Sequence, residues 1–241
     1  MVEKVILTLR GADADGAWCA RLRTQVAADL LDIGLPGLAI NVRDADVRDS
    51  LMTLTTMDPP VVAVVSVWTQ QSYGAQLVAT TARLRKECED VAAYLVTESV
   101  PLPPPATVPG QRTAGLANVA LLRRPGDLDE AIWLSRWHID HTPVAIETQA
   151  TFGYTQNAVV RPLTDGAPAL SAIVEELFPA EAMSDLHAFF GAADDDDLRN
   201  RMERMLASTA AFGANENVDT VPTSRYVYRS PFDEGRQKVS R

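Results

Sequence analysis

The chain has 241 residues, of which 46% are hydrophobic and 22% are charged, so it can bury a sizeable core and does not have the composition of a disordered chain. Its formal net charge of −10 opposes the positive field that a nucleic-acid partner requires. It contains no uncharged apolar run of about 18 residues, so no membrane-spanning segment is expected. The charged residues Glu3 and Lys4 near the N-terminus do not fit a secretion signal, and we expect a cytoplasmic protein.

The first hundred residues alternate between strand-like and helix-like patterns. Strands are indicated by short β-branched runs, and helices by apolar residues at helical spacing. In chain order the predicted elements are a strand at VEKVILTLR, a helix over 16–33, strands at Leu38–Val42 and VVAVVSVW, a helix over 71–92 and a strand at YLVTESV. The order is β-α-β-β-α-β.

A proline-rich segment, PLPPPATVPG, divides the chain between Pro101 and Gly110. Proline cannot continue a helix or a central strand, so this segment predicts a stiff linker. We therefore divide the chain into an N-terminal half over 1–100, a linker over 101–115, a C-terminal half over 116–230 and a flexible tail over 231–241. The polar tail either frays or reaches a neighbouring subunit, which leaves a homo-oligomer open.

The second half repeats the pattern of the first. In chain order the predicted elements are a strand at Leu116–Leu122, a helix capped by Asp127 or Asp129 that runs to His141 and is stopped by Pro143, strands at Phe152–Val160 and AIVEELF, helices over 180–190 and 197–212, and a strand at SRYVYRS. With one helix set aside, the order is again β-α-β-β-α-β.

This order is that of the ferredoxin-like unit, an antiparallel sheet with two helices on one face. Each unit leaves its other sheet face uncovered. We therefore predict an α+β fold in which two tandem units pack sheet to sheet as an internal α+β barrel pseudo-dimer.

Metal, nucleotide and serine-hydrolase motifs are absent from the sequence. The two cysteines, Cys19 and Cys88, have no metal-ligand spacing and are expected to be buried thiols. The acidic run Asp194–Asp197 is interpreted as a helix cap, since consecutive acids rarely converge on one ion. We predict no cofactor and no metal.

The segment Arg123–Ala145 holds the best candidate for a site. Trp133, Trp137 and His141 are spaced by four, so on a helix they form one stripe, with His138 on a neighbouring line. A histidine at a helix C-terminus favours its charged form and titrates in a range suited to proton transfer. The alternative is that the tryptophans are core residues and the histidine caps the helix.

Arg124-Pro-Gly126, the acidic helix start, Trp133-Leu134 and Trp137-x-x-x-His141-x-Pro143 together resemble the signature of the EthD family. Tyr154-x-x-Asn157 and AIVEELFPAEAMSDLHAFF resemble its next strands and helix, so the resemblance covers about residues 119–212. Family members have a dimeric α+β barrel fold.

Some relatives dehydrate or decarboxylate aromatic polyketides, while the name-giving members have no settled reaction. The resemblance therefore implies a small-molecule pocket but no particular reaction. Many relatives have a histidine where this chain has Ala158, which puts a mechanism with two histidines in doubt. Tyr154 and Asn157 point to opposite faces of a strand, and we expect Tyr154 to face the pocket.

Three functions follow from these observations. The first is a cofactor-independent dehydratase, cyclase or decarboxylase acting on a hydrophobic or aromatic molecule, with His141 as general acid or base. In it Trp133, Trp137, Tyr154, His138 and Asn157 bind the substrate. The second is a non-catalytic binding protein that uses the same pocket. The third is a structural or assembly protein in which these side chains are packed core.

Overall fold

The computed structural model describes residues 2–11, 14–88 and 90–232, and its strands and helices follow the predicted alternation. The strands are β1 Glu3–Arg10, β2 Gly37–Val42, β3 Val61–Thr69, β4 Asp90–Leu102, β5 Leu116–Leu122, β6 Gly153–Pro162, β7 Ala172–Phe178 and β8 Asp219–Arg229. The helices are α1 (Gly16–Arg21, Leu22–Val26 and Ala27–Asp32), α2 Ala75–Leu84, α3 (Glu130–Ser135, Arg136–His141 and Thr142–Thr148), α4 Leu186–Phe190 and α5 Asp195–Ala210.

The eight strands close into one antiparallel barrel in the order β1-β3-β2-β8-β5-β7-β6-β4. Each half contributes four adjacent strands in the ferredoxin-like order, β4-β1-β3-β2 and β8-β5-β7-β6. The halves join along two seams, where β2 pairs with β8 and β4 pairs with β6. The predicted internal α+β barrel of two ferredoxin-like units is confirmed, and its two sheets meet edge to edge.

The barrel wall separates two kinds of core. Along β1 the side chains of Val5 and Leu7 pack with helix residues such as Leu22, so they face outward. Ile6 packs instead with strand residues of both halves, such as Val119, in a cluster to which no helix contributes. Because side chains alternate along a strand, one set of residues in each strand points into the barrel and the other set packs against the helices.

Helix α3 does not end at His141, as the sequence predicts, but continues through Pro143 to Thr148. Between Arg136 and His141 it widens into a π turn, in which the Thr142 N–H bonds the Trp137 carbonyl five residues back. Pro143 then lies in the first turn of the next α-helical segment, where its missing N–H is tolerated. Helix α1 contains a similar π turn at Leu22–Val26.

The helix predicted over 71–92 is shorter than expected, because α2 ends at Leu84 and β4 begins at Asp90. The run from Val91 to Val96 is buried on both faces of the sheet, and such a continuous apolar run cannot be distinguished from helix by periodicity.

Cys19 is buried, and Cys88 is half-buried. Of the predicted tail 231–241, only Pro231 and Phe232 belong to the described residues. Within the described ranges, no helix combines the length and the apolarity that crossing a membrane requires.

The buried Thr142 hydroxyl links α3 to the sheet. Thr142 Oγ1 donates to the Trp137 carbonyl at 2.9 Å and accepts from Gln156 Nε2 of β6 at 2.7 Å. We predict that Thr142→Val lowers the free energy of unfolding by about 1–3 kcal/mol, because the Gln156 amide loses its acceptor in the core. Urea denaturation measures this free energy.

Thr148→Val is the matched control, because Thr148 is fully buried but its hydroxyl bonds only the Val144 carbonyl of its own helix. We expect it to lose less than about 1 kcal/mol. Equal losses in the two variants would contradict the proposed link.

Candidate functional site

The aromatic stripe of α3 faces the outer surface of the second half's sheet. Asp129 caps the helix, because its carboxylate accepts from the backbone N–H groups of Ala131 and Ile132. Trp133, Trp137 and His141 are 1%, 0% and 7% exposed. The stripe is therefore buried along its whole length.

A cavity of about 350 Å³ lies between this stripe, helix α5 and the sheet. Trp137, His141 and Tyr154 line it, so three of the six predicted site residues meet there. The other described lining residues are Leu51, Met52, Thr53, Leu54, Asn118, Ala120, Leu122, Gln149, Val174, Glu176, Phe189, Met205, Thr209, Phe212, Ala214, Val218 and Thr220.

The other three predicted residues do not line this cavity. Trp133 lies against the Trp137 and Phe212 rings, with centroid distances of 5.2 and 6.0 Å. His138 packs on the Trp137 ring at 4.4 Å. Asn157 faces the barrel interior, where its amide donates to the Ile173 carbonyl at 2.9 Å. Tyr154 and Asn157 thus face opposite sides of β6, as strand alternation predicts.

His141 is held as a neutral imidazole. Its Nδ1 lies 2.9 Å from Ser208 Oγ of α5, and its ring packs on Phe212 with centroids 4.9 Å apart. Burial lowers the pKa of His141 from 6.5 to about 4. The expected stabilisation of the charged form by a helix end is wrong, because the helix continues past His141 and burial dominates.

Three polar side chains form a row across the floor of the cavity. Glu176 of β7 pairs in register with Tyr154 of β6 on one side and with Asn118 of β5 on the other. Burial raises the pKa of Glu176 from 4.5 to about 7. Burial also raises the pKa of Tyr154, and the nearby Glu176 adds to that effect. A carboxyl that can hold a proton at neutral pH therefore lies between a phenol and an amide.

Several polar atoms at the cavity have few hydrogen-bond partners within the protein. Asn118 Oδ1 and Trp137 Nε1 are buried without a hydrogen-bond partner among the described residues. Gln149, with its amide nitrogen turned toward the sheet, donates to Glu176 Oε1 and to the Ala145 carbonyl, each at 3.2 Å. The unpartnered acceptor and donor are available to a ligand with complementary polar groups.

A loop of the first half forms part of the cavity wall. The Leu51 N–H donates to the Met183 carbonyl at 2.9 Å, and Leu54 exchanges backbone hydrogen bonds with Thr220 of β8. Leu51 and Leu54 are 60% and 48% exposed, so this segment lies at the rim. The cavity is therefore built from both halves of the chain.

The sequence prediction missed Glu176 and Asn118. A signal for Glu176 was present in AIVEELF, where two glutamates follow each other in an otherwise apolar strand. Adjacent residues of a strand point to opposite faces, so in a strand buried on both sides each acid occupies a different buried site. Asn118 had no comparable signal in LANVALL. Over the described ranges, no group of three or more His, Cys, Asp or Glu side chains could hold a metal ion.

Comparison with known proteins supports the fold. No family model matches the chain, and no curated protein matches it, so the EthD resemblance stays a prediction. The chain is similar to an anthrone oxidase-like protein of known structure, with a TM-score of 0.55 and 9% identity over 95% of this chain and 94% of that one. At this identity the similarity concerns the fold alone.

Two further solved structures are more distant. A proposed chlorite dismutase has a TM-score of 0.46 at 10% identity, with 95% of each chain covered. A proposed monooxygenase from Lactobacillus acidophilus NCFM has a TM-score of 0.43 at 8% identity, covering 95% of this chain and 96% of that one. These scores are too low to carry an argument. The fold that the chain shares with the anthrone oxidase-like protein is an α+β barrel, which in this chain closes from eight antiparallel strands.

Proposed function

We propose that this chain binds a hydrophobic or aromatic small molecule in the cavity beside Trp137 and His141 and catalyses the loss of water from it. One observation carries the proposal: a neutral imidazole and a carboxyl group with a pKa of about 7 line the same largely apolar cavity. Two titratable groups whose pKa values are shifted in opposite directions are typical of an acid–base pair.

The walls favour an aromatic ligand. Trp137, Phe212 and Met205 supply apolar and aromatic surface, and rings bind well against such surface. The row of Asn118, Glu176 and Tyr154 supplies groups that can bond a ligand carbonyl or hydroxyl. The name of the anthrone oxidase-like neighbour refers to anthrone, a fused aromatic ketone, and the EthD resemblance also implies a small-molecule pocket.

The chemistry suits the dehydration of a β-hydroxy ketone. His141 takes the proton from the carbon next to the carbonyl, and the electron pair of that C–H bond forms a C=C bond. The C–O bond on the neighbouring carbon breaks, and the leaving hydroxyl takes the proton of Glu176 and departs as water. Imidazolium and carboxylate then return to their starting forms by proton transfer through solvent. His141 is assigned as the base because burial keeps it unprotonated at neutral pH, and Glu176 as the acid because burial lets it hold a proton there.

The non-catalytic alternative uses the same cavity, and it requires Trp137 but not His141. The structural alternative requires the stripe to be packed core throughout. The cavity beside Trp137 and His141 disfavours this third interpretation. Of the three stripe residues, only Trp133 is buried away from the cavity.

We predict that Trp137→Phe weakens the binding of anthrone about tenfold, because the cavity loses aromatic contact area and an indole N–H donor. Trp133→Phe is the matched control on the same helix, and it should change the affinity by less than about threefold because Trp133 lies outside the cavity lining. Isothermal titration calorimetry measures both affinities. Equal effects of the two substitutions would place the ligand elsewhere.

We predict that His141→Gln lowers the rate of dehydration of 3-hydroxy-1-tetralone to 1-naphthol by about 100-fold or more, because the general base is removed. The affinity for anthrone should change by less than about threefold. The appearance of 1-naphthol fluorescence measures turnover, and far-ultraviolet circular dichroism checks the fold. Unchanged turnover would remove His141 as the base. Anthrone binding without any turnover in the wild type would leave the non-catalytic binding function.

The pH dependence of stability separates the two titratable groups. The folded-state pKa of Glu176 is raised. Its contribution to the free energy of unfolding is therefore complete below pH 4.5 and is lost as the pH rises through about 7. The folded-state pKa of His141 is lowered, so its contribution is complete above pH 6.5 and is lost as the pH falls through about 4. The two contributions therefore oppose each other between pH 4.5 and 6.5.

We predict that Glu176→Gln stabilises the fold relative to the wild type by about 3 kcal/mol at pH 8 and by little at pH 4.5, because the amide cannot ionise. Urea denaturation at both pH values measures the difference. The exposed Glu147→Gln is the control and should show no such trend. A stability difference between Glu176→Gln and the wild type that does not depend on pH would contradict the raised pKa.

A further inference from the structure

A second cavity, of about 260 Å³, lies inside the barrel and shares no lining residue with the first. Strands of both halves contribute to it, including β1, β4, β7 and β8. Five charged side chains from these strands line it, in contrast to the apolar cluster that fills the rest of the interior. This cavity belongs to neither half alone.

Four of these charged side chains form two ion pairs. Lys4 Nζ lies 2.5 Å from Glu98 Oε1, and Arg225 Nε lies 2.7 Å from Glu175 Oε1. The side chains are between 8% and 18% exposed, and their formal charges sum to zero. A fifth charged lining residue, Arg229, is exposed and donates to the Leu35 carbonyl at 2.8 Å. The inner part of the cavity is thus neutral overall but holds both kinds of charge.

Stability alone does not explain these buried charges. Two ion pairs lose hydration in the interior, and well-packed apolar residues of similar volume often stabilise a protein as well or better. Oε2 of Glu98 and Oε2 of Glu175 accept no hydrogen bond from the described residues, and Lys4 Nζ donates only one of its three. After the ion pairs have formed, hydrogen-bond acceptors on the glutamates and donors on Lys4 therefore remain without a partner among the described residues.

Asn157 adds an unpartnered group to this cavity. Its side chain is 2% exposed, and its Nδ2 donates to the Ile173 carbonyl at 2.9 Å. Its Oδ1 is buried with no partner among the described residues. A buried amide oxygen without a donor is rare in a folded protein, and it calls for a donor on a ligand.

The mouth of the cavity has apolar side chains beside Arg229 and is shaped by a glycine. A Cβ at Gly37 would lie 2.6 Å from the Trp68 ring and 2.8 Å from Pro231, so only glycine lets these groups close over β2. The exposed side chains of Val100 and Phe232 also line the cavity. A ligand would therefore have its charged end inside and an apolar portion at the mouth.

The geometry points to the barrel interior as a second binding site, which takes a small zwitterion with an ammonium group, a carboxylate and an apolar side chain. The ammonium group donates to Asn157 Oδ1 and to the free carboxylate oxygens of Glu98 and Glu175. The carboxylate accepts from Lys4 and Arg225. A neutral ligand of this kind leaves the charge balance of the four side chains unchanged.

Three probes of the same shape test the charge requirement on the full chain by isothermal titration calorimetry. L-phenylalanine carries both charged groups, 2-phenylethylamine only the ammonium and 3-phenylpropionate only the carboxylate. We expect L-phenylalanine to bind, and each single-charge analogue to bind at least about tenfold more weakly, because it leaves an excess charge in the interior. An absence of L-phenylalanine binding up to about 10 mM, or equal binding of either analogue, would overturn the proposal.

Three variants locate the site. Ser66→Leu extends an apolar side chain into the cavity and should weaken L-phenylalanine binding about tenfold or more, whereas Trp137→Phe in the other cavity should leave it within about threefold. Trp68→Phe keeps an aromatic ring at the mouth and should abolish the change in tryptophan fluorescence that accompanies L-phenylalanine binding. Full binding by Ser66→Leu, loss of binding in Trp137→Phe, or a persisting fluorescence change in Trp68→Phe would each place the ligand elsewhere and overturn the proposal.

Discussion

The pairing of β2 with β8 and of β4 with β6 is the constraint on which the rest of the structure depends. Each half alone would leave two sheet edges with unpaired backbone groups and one bare apolar face. Joining the edges pairs the backbone and turns the two bare faces into one shared interior. Most strand residues are then buried on one of two sides, one facing the interior and one facing the helices.

This two-sided burial separates the polar side chains into two sites. On β7, Glu175 faces the interior and pairs with Arg225, while its neighbour Glu176 faces α3 and the cavity beside His141. A shift of one residue in the register of β7 would exchange the two acids and disrupt both sites. The strand pairing that closes the barrel therefore also determines that Glu175 lies beside a cation and that burial raises the pKa of Glu176.

The two halves use the same architecture differently. In α1 the residues spaced by four from Trp18 are Leu22, Val26 and Leu30, and all three are fully buried in an apolar core. In α3 the residues spaced by four from Trp133 are Trp137, His141 and Ala145. Both helices contain a π turn in their middle segment, at Leu22–Val26 and Arg136–His141. Such turns are often found at functional sites. His141, the one polar residue of this series, lines the cavity of the second half, whereas its counterpart Val26 belongs to an apolar core cluster.

The sequence by itself determined the order of the elements, the two ferredoxin-like units and the stripe of Trp133, Trp137 and His141, because strand and helix periodicities are local properties of the chain. It also placed Tyr154 and Asn157 on opposite faces of a strand. The seams between the halves, the row of Asn118, Glu176 and Tyr154, and the lowered pKa of His141 depended on contacts between residues far apart in the chain. Only the tertiary structure decided these features, because burial and charge pairing are set by neighbours in space.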